Sequence, residues 1–244
     1  IRDRNEIILT WVDDSDGCLW SQRWLDLEGL DLKDNLLLRA KYPPICLSKN
    51  SKYLLADGLI DLRRNRWLGI AEESEKDTLV SFSLDLEAQS PKLFYLAKDF
   101  LGYPVMSPTG DQLAWVEWEK PSMPWDSSSL HWAGLESNGD IRDTQVLIKG
   151  SSGENKYISV FQPFWSSSGD LFVSEDSSGW WNLVLAESGF NPNNQINWQR
   201  PWIMSAEMGM PQWVLGMSSN SCSDYGVISL ICENGSWRLF LLSS

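Results

Sequence analysis

The residue with the clearest capacity for catalysis is the single histidine, His131, which lies in the apolar run Leu130-His131-Trp132-Ala133. A Ser-His-Asp triad needs its histidine on an accessible loop, beside a serine held on a sharp turn. No G-x-S-x-G segment is present, and the glycine- and serine-rich stretch at 150–153 is too short and predicts a loop. We therefore interpret His131 as a structural residue of a strand and expect no peptidase or esterase activity from this chain alone.

Carboxylates are more numerous, but their spacing does not indicate a reaction. Asp57, Asp61 and the pair Glu72-Glu73 lie near predicted strand ends. A glycosidase needs two carboxylates about 5–10 Å apart in a cleft, and nothing in this spacing favours that arrangement. The sequence also lacks a glycine-rich phosphate-binding loop. A propeller glycosidase stays an alternative, and no cofactor is predicted.

Neither the acidic turn at 13–17 nor the cysteines predict a metal site. If Gly17 took the sixth position of an EF-hand loop, the first ligand would be Val12 and the twelfth Arg23, which excludes calcium. The four cysteines form no C-x-x-C pair and have no histidine cluster beside them, which argues against zinc: Cys18, Cys46, Cys222 and Cys232. Scattered thiols favour a reducing, cytoplasmic location, with a Cys222–Cys232 disulfide as the alternative.

The composition restricts the partners of the chain. Among 244 residues, 43% are hydrophobic and 22% charged, which is typical of a globular protein. The formal net charge of −13 argues against a nucleic-acid partner, because phosphate binding needs clustered Lys and Arg. No apolar run approaches the ~20 residues of a membrane-spanning helix. We interpret most of the fifteen tryptophans as packing between sheets and a minority as contacts to a ligand or glycan.

Short strands must position these side chains. Residues 100–140, with the strand that follows them, predict one propeller blade, with strands at Tyr103–Met106, Gln112–Glu117, Ser129–Leu135 and Gln145–Ile148. The second of these strands is apolar on both faces, as expected of a strand buried between two neighbouring sheets. The turns between them contain Gly110 and Gly139, and glycine tolerates the positive φ that tight turns require.

The same pattern recurs along the chain. The segment 162–170 (QPFWSSSGD) repeats 103–111 (YPVMSPTGD) 59 residues later, and an earlier copy lies within 53–97. Pro211-Gln212-Trp213 begins a further copy, which predicts a strand at Gln212–Met217. Irregular repeats of about 40–60 residues are the signature of propeller blades. We therefore predict an all-β fold: a partial β-propeller of about four four-stranded antiparallel blades.

Within this architecture we assign residues 1–52 to a ragged first blade and linker, and residues 53–244 to the blades of a single propeller domain. A short helix within 25–39 is an alternative in the first part. An incomplete set of blades leaves sheet faces and edges open, which soluble proteins normally cover. We therefore expect the isolated chain to self-associate or to be marginally stable.

Four segments resemble the prolyl-oligopeptidase family of serine peptidases, in the branch of dipeptidyl aminopeptidases and acylaminoacyl-peptidases. They lie at 54–70 (LLADGLIDLRRNRWLGI), 107–130 (SPTGDQLAWVEWEKPSMPWDSSSL), 171–189 (LFVSEDSSGWWNLVLAESG) and 205–217 (SAEMGMPQWVLGM), and the resemblance covers roughly residues 42–242. It implies an N-terminal propeller, a C-terminal α/β-hydrolase domain that carries the Ser, Asp and His, and peptide substrates of limited size. This chain stops before any hydrolase domain, so the resemblance assigns it no catalytic residue and implies a fragment of a longer chain.

The resemblance implies a non-catalytic propeller that controls the access of small peptides to the active site of its hydrolase domain. The alternative is a free-standing propeller that binds a protein or glycan through tryptophan-rich loops. In an antiparallel blade, the loop after the second strand and the connection to the next blade lie at the end opposite the turns at 107–110 and 137–140. This places four candidate substrate or interdomain contacts at that opposite end: Trp125, Asp126, Trp180 and Glu207. In the alternative, the tryptophans only cap blade ends and Glu207 is solvated.

Overall fold

The computed structural model describes residues 2–3, 6–25, 42–48, 53–151 and 157–243. These residues contain 18 β-strands and no helix, and the strands form five antiparallel sheets. The predicted all-β class is therefore confirmed. The chain divides into two compact units: residues 1–74 with 78–96, and residues 75–77 with 97–244. The alternative of a short helix within 25–39 and the predicted boundary at 52/53 lie almost entirely outside the described residues.

The first unit contains two four-stranded sheets. The first sheet consists of β1 (Arg2–Asp3), β2 (Glu6–Val12), β3 (Leu19–Leu25) and β4 (Ile45–Cys46). The second consists of β5 (Leu54–Asp61), β6 (Arg66–Glu73), β7 (Lys76–Ser83) and β8 (Lys92–Leu96). Their shared core includes Ile8 and Leu19 from the first sheet and Trp67 and Phe82 from the second. The acidic turn joins β2 to β3, as the hairpin interpretation predicts.

The second unit contains three sheets. The third sheet of the chain consists of β9 (Phe100–Met106), β10 (Gln112–Trp118), β11 (Ser129–Leu135) and β12 (Ile141–Ile148). The fourth consists of β13 (Val160–Trp165), β14 (Leu171–Glu175) and β15 (Asn182–Ala186). The fifth consists of β16 (Asn220–Ser223), β17 (Gly226–Glu233) and β18 (Ser236–Leu242). The sheets number five rather than about four, and the last two have three strands each within the described residues.

The fourth sheet is buried on both faces, which explains its continuous apolar strands. One face packs on the third sheet in a core that includes Val116, Leu171 and Val173. The other packs on the fifth sheet through Phe172 and Ile231, among others. Strands covered on both sides can be apolar at every position, and all five residues of β14 are buried.

The 59-residue repeat corresponds to a repeated turn that joins the first two strands of a sheet. Ser107 Oγ accepts the Gln112 N–H at 3.1 Å and donates to Asp111 Oδ1. In the next copy, Ser166 Oγ accepts the Asp170 N–H at 2.9 Å and donates to Asp170 Oδ2. Glycines at 110 and 169 take φ angles of 69° and 92°, where a side chain would be strained. Serine, glycine and aspartate thus recur because this turn needs each of them.

The first strands of the second, third and fourth sheets share a bulge in which two residues lie opposite one. Asp57-Gly58 lies opposite Gly69, Tyr103-Pro104 opposite Trp115, and Gln162-Pro163 opposite Val173. The first residue of each pair is not glycine, yet its φ is positive, at 47°, 58° and 48°. Such a conformation costs about 1–2 kcal/mol, so surrounding contacts must hold it.

One sequence prediction about the end of the chain is wrong, and one alternative fails. Residues Gln212–Met217 are not a strand, and the first strand of the fifth sheet is Asn220–Ser223. The alternative of a Cys222–Cys232 disulfide also fails, since all four cysteines are free. Cys222 faces Val227 and Cys232 faces Trp237 across their strand pairs, so the two thiols are not cross-strand neighbours.

Candidate functional site

Strand order places the candidate contacts at one end of the sheets in the second unit. Short turns at 107–111 and 136–140 join β9 to β10 and β11 to β12, and the Leu135 N–H donates to the Asp111 carbonyl. The long loops at 119–128 and 176–181 follow the second strands and lie at the opposite end. Trp125 and Trp180 therefore emerge opposite Gly110 and Gly139, as the strand assignment predicts. Their role in binding stays a prediction.

Trp125 and Asp126 lie on a loop that its own hydrogen bonds hold in place. The Asp126 carboxylate accepts the Met123 N–H at 3.0 Å, which closes a turn around Pro124. The Pro124 carbonyl accepts a hydrogen bond from Ser159 Oγ at 2.9 Å, so the loop is tied to the entry of β13. Trp125 is half-buried, and its ring centroid lies 4.4 Å from that of Trp213, a residue outside the predicted set.

Trp180 and Glu207 differ sharply in their surroundings. Trp180 is 40% exposed, with its carbonyl accepting a hydrogen bond from Ser178 Oγ. Glu207 is half-buried, and its Oε2 accepts the Trp181 N–H at 2.8 Å. The backbone of Glu207 also exchanges two hydrogen bonds with Cys232 of β17. Glu207 therefore joins the fourth and fifth sheets, and the alternative in which it is only solvated does not describe it.

Residues 209–218 form a loop, although the sequence pattern predicts a strand at Gln212–Met217. Glu207 pairs with Cys232, and the Ser219 carbonyl accepts the Leu230 N–H, so the chain leaves the sheet after Met208 and returns at Ser219. Between the paired residues Glu207 and Ser219, the eleven residues 208–218 thus lie opposite Ile231 alone, where the second, third and fourth sheets have a two-residue bulge. The two glycines within the loop, Gly209 and Gly216, were the available signal in the sequence.

Buried amides fix the two ends of the 209–218 loop to β13. Gln162, the bulge residue of β13, accepts the Ser219 and Asn220 N–H groups at 2.7 and 3.0 Å and donates to Ser218 Oγ at 2.9 Å. Gln212 Nε2 donates to the Val160 carbonyl at 2.9 Å. Because Gln162, Ser219 and Asn220 are all buried, these bonds are shielded from competing water.

Carboxylates near the loops of the fourth sheet are partly or fully withdrawn from solvent. Burial raises the pKa of Asp176, and the negative charges of Glu175 and Glu207 raise this pKa further. The Ser159 N–H, which donates to Asp176 Oδ1 at 2.7 Å, opposes the shift. Glu175 is buried and is paired with Arg200 and with both the N–H and the hydroxyl of Ser177. This region therefore holds negative charge in structural hydrogen bonds.

His131 lies in the third sheet beside a cleft of about 450 Å³. Its Nδ1 is 3.2 Å from Glu117 Oε1, which also accepts the Trp115 Nε1–H at 2.7 Å. Burial lowers the pKa of His131 to about 4, and the negative charge of Glu119 opposes this shift. The imidazole is therefore neutral at pH 7 and can donate its Nδ1–H to the carboxylate. These contacts support a structural role for His131.

The described residues show no group of three or more His, Cys, Asp or Glu side chains placed to hold a metal ion. Within the same part of the chain, no helix has the length and apolar character needed to cross a membrane.

Solved structures identify the architecture that these sheets represent. Puromycin hydrolase matches 95% of this chain with a TM-score of 0.78 and 23% identity, and the match covers 34% of that protein. Prolyl oligopeptidase B from Galerina marginata matches 98% with a TM-score of 0.59 and 9% identity, over 32% of its own length. TolB from Acinetobacter baumannii, a propeller protein, matches 98% with a TM-score of 0.53 and 10% identity, over 53% of its length.

The fold is that of β-propeller blades. The propeller prediction is thus confirmed, and the chain spans about a third of the length of puromycin hydrolase. No protein-family model matches the sequence, and no curated protein does. At these identities the similarity concerns the fold, so the activity of the whole protein is a matter for proposal.

Proposed function

We propose that this chain is the non-catalytic propeller region of a prolyl-oligopeptidase-type serine peptidase. It would limit the size of the peptides that reach an active site on a C-terminal α/β-hydrolase domain of the same protein. The observation that carries the proposal is the match of nearly the whole chain to about a third of puromycin hydrolase. The four resembling sequence segments support the same family. The finer assignment to dipeptidyl aminopeptidases or acylaminoacyl-peptidases, and the cytoplasmic location, rest on the sequence alone.

The packing of the second unit suits a barrier of fixed shape. Core residues bury both faces of the fourth sheet, and buried hydrogen bonds of Gln162 and Asn220 join it to the fifth. A rigid wall excludes large substrates by steric contact, without needing a reactive group of its own. The neutral imidazole of His131, which lies 3.2 Å from the Glu117 carboxylate, agrees with this passive role.

Sequencing the coding DNA on both sides of this chain is the first test, because the proposal requires a following region with a G-x-S-x-G segment. The full-length protein should then hydrolyse an aminoacyl nitroanilide and short peptides, with kcat/KM falling steeply as peptide length increases. The 244-residue chain alone serves as the control and should show no turnover. Turnover by this chain that disappears in a His131→Ala variant would contradict the proposal.

The predicted contacts Trp125, Asp126, Trp180 and Glu207 belong to this proposal as residues that face peptide or hydrolase domain. Glu207→Gln in the full-length protein is the sharpest single test, because the amide oxygen can still accept the Trp181 N–H. A change in peptide kinetics without a change in melting temperature would assign the Glu207 charge to substrate or interdomain contact. Unchanged kinetics would remove Glu207 from the set.

Self-association of the isolated chain is the remaining part of the proposal. The outward face of the fifth sheet carries an apolar set on adjacent strands: Ile228, Leu230, Trp237, Leu239 and Leu241. The corresponding face of the fourth sheet is covered by the fifth through residues such as Phe172 and Val227. Continuation of the same packing would bring a sheet of a second copy onto this outward face.

A further inference from the structure

The first strands of the sheets in the second unit form one edge of these sheets, the first-strand edge. The 209–218 loop crosses this edge. Its anchors come from two different first strands: Tyr103 Oη of β9 donates to the Val214 carbonyl at 3.1 Å, and the Val160 carbonyl of β13 accepts from Gln212. Leu215 packs directly on Gly102, where an added Cβ would lie 2.8 Å from its Cδ2. These contacts therefore hold the loop in a fixed position on the two sheets.

The strained bulge residues of the neighbouring sheets are the ones that brace this loop. Tyr103 and Gln162 both take positive φ, and both use their side chains to hold residues at 214–220. A bulge residue keeps an unfavourable positive φ where several surrounding contacts hold it in that conformation. The two bulges and the loop thus form one connected structure.

The tip of the loop exposes large apolar side chains in spite of this bracing. Trp213 is 72% exposed and Val214 is 65% exposed, and the ring of Trp125 backs that of Trp213. The loop contains no charged residue, in a chain with a net charge of −13. An uncharged apolar surface complements an uncharged apolar group, because charged partners would lose hydration there without gaining a counter-charge.

The size of this surface argues for a small ligand. Trp213, Val214, Leu215 and Trp125 together expose apolar surface on the order of 400 Å², given that one aromatic side chain buries 150–250 Å² at most. A stable protein–protein interface needs about 800 Å² from each partner. The tip is therefore large enough for one or two side chains of a peptide and too small for a stable contact between two copies of the chain.

We propose that the 209–218 loop, with Trp213 and Val214 at its tip and Trp125 behind it, is a binding ledge for an apolar or aromatic side chain of a peptide. This inference rests on the proposed function for its substrate class, peptides, and adds a preference for an apolar residue. The ledge would position such a peptide at the first-strand edge of the propeller.

The test measures peptide binding to the 244-residue chain by saturation-transfer NMR. The probes are acetyl-Gly-Phe-Gly-amide and acetyl-Gly-Gly-Gly-amide, which share termini and differ at one side chain. We expect binding of the phenylalanine peptide alone, and a dissociation constant about tenfold higher in Trp213→Ala. Trp213→Phe keeps a ring and should stay within about threefold of the original protein. Because Trp213 is exposed, neither variant should alter the fold, which a thermal melt checks.

Tyr225→Ala is the matched control, because Tyr225 is an exposed aromatic residue in the turn between β16 and β17. It should leave peptide binding unchanged. Equal binding of the two peptides, no binding of either, or equal loss in Tyr225→Ala and Trp213→Ala would overturn the inference. A lower oligomer size in Trp213→Ala, without discrimination between peptides, would instead identify the tip as a contact between copies. Since the readout is binding, a full-length protein without peptidase activity would overturn the proposed function and leave the ledge standing.

Discussion

The fourth and fifth sheets have similar strand patterns and opposite surroundings. All five residues of β14 are buried, because the third and fifth sheets cover its two faces. In β18, six of seven residues are exposed, although the strand is just as apolar. Apolar composition therefore marks a strand that is built to be covered, and only its neighbours determine whether it is. The comparison separates residues that stabilise this chain from residues that are available to a partner.

The largest expected effect is in the covered sheet. Phe161→Ala removes a fully buried ring that packs edge-on against Tyr103, and such deletions cost about 3–5 kcal/mol of unfolding free energy. Leu239→Ala in β18 is the control: its side chain is 69% exposed in the single chain, so at a protein concentration low enough to keep the chain monomeric we expect a change within about 0.5 kcal/mol. Urea denaturation followed by circular dichroism measures both. Similar losses in the two variants at that concentration would mean that the single chain itself covers β18.

The junction between the two sheets should show the next largest effect. Gln162→Ala removes the acceptor of the Ser219 and Asn220 N–H groups and leaves them buried without a partner. We expect a loss of about 2–3 kcal/mol, together with loss of peptide binding, since the 209–218 loop loses an anchor. Gln145→Ala is the control, because Gln145 makes an exposed hydrogen bond with Asn193. A Gln162→Ala variant as stable as this control would show that the junction does not depend on the amide.

A charge placed on the uncovered face of the fifth sheet should change the assembly of the chain and have little effect on its stability. Leu239→Lys places a charge on the outward face of the fifth sheet, and burying it against a second copy would be unfavourable. Light scattering should show oligomers in the original chain and a shift to monomer in this variant. Arg238→Lys, on the opposite face of β18, keeps its charge and should leave the oligomers unchanged. A heat-resistant monomer of the unmodified chain would contradict the proposed self-association.

The smallest effect concerns Asp176, on a loop of the covered sheet. Its folded pKa lies above the value of 3.8 expected without burial, so the folded state holds the proton more tightly than the unfolded state does. The stability from this protonated group is present at low pH and is lost as pH rises through the folded pKa. Asp176→Asn, which keeps an acceptor for Ser159 N–H, should therefore raise the melting temperature at pH 7 by about 1–3 °C.

The gain in Asp176→Asn should disappear as the pH falls below the unfolded-state pKa, because Asp176 is then protonated in both the folded and the unfolded state. Asp224→Asn, in the exposed turn before β17, provides the comparison and should stay within about 1 °C at each pH. Melting curves from pH 3 to pH 7 make the measurement. A gain that is constant with pH would mean that the carboxylate charge of Asp176 is not the cause.

The local structure of this protein follows closely from its sequence. Three local features depend on steric preferences within a few residues. They are the strand periods, the serine–glycine–aspartate turns at 107–111 and 166–170, and the Asn234-Gly235 hairpin. These signals predict the all-β class, the hairpin order, and hence the end of the sheets at which Trp125 and Trp180 emerge. None of these predictions depends on contacts between residues that are far apart in the sequence.

The tertiary structure alone decided what happens at the first-strand edge. The pattern at 212–217 was compatible with a strand, but Tyr103 holds Val214 from 111 residues away, and Gln162 holds Asn220 from 58 residues away. Contacts at such separations leave no local period in the sequence. The sequence also does not show which apolar sheet is covered and which is exposed. The alternation of side chains is the same in both, and the sheet that packs next to each one decides whether its apolar face is buried.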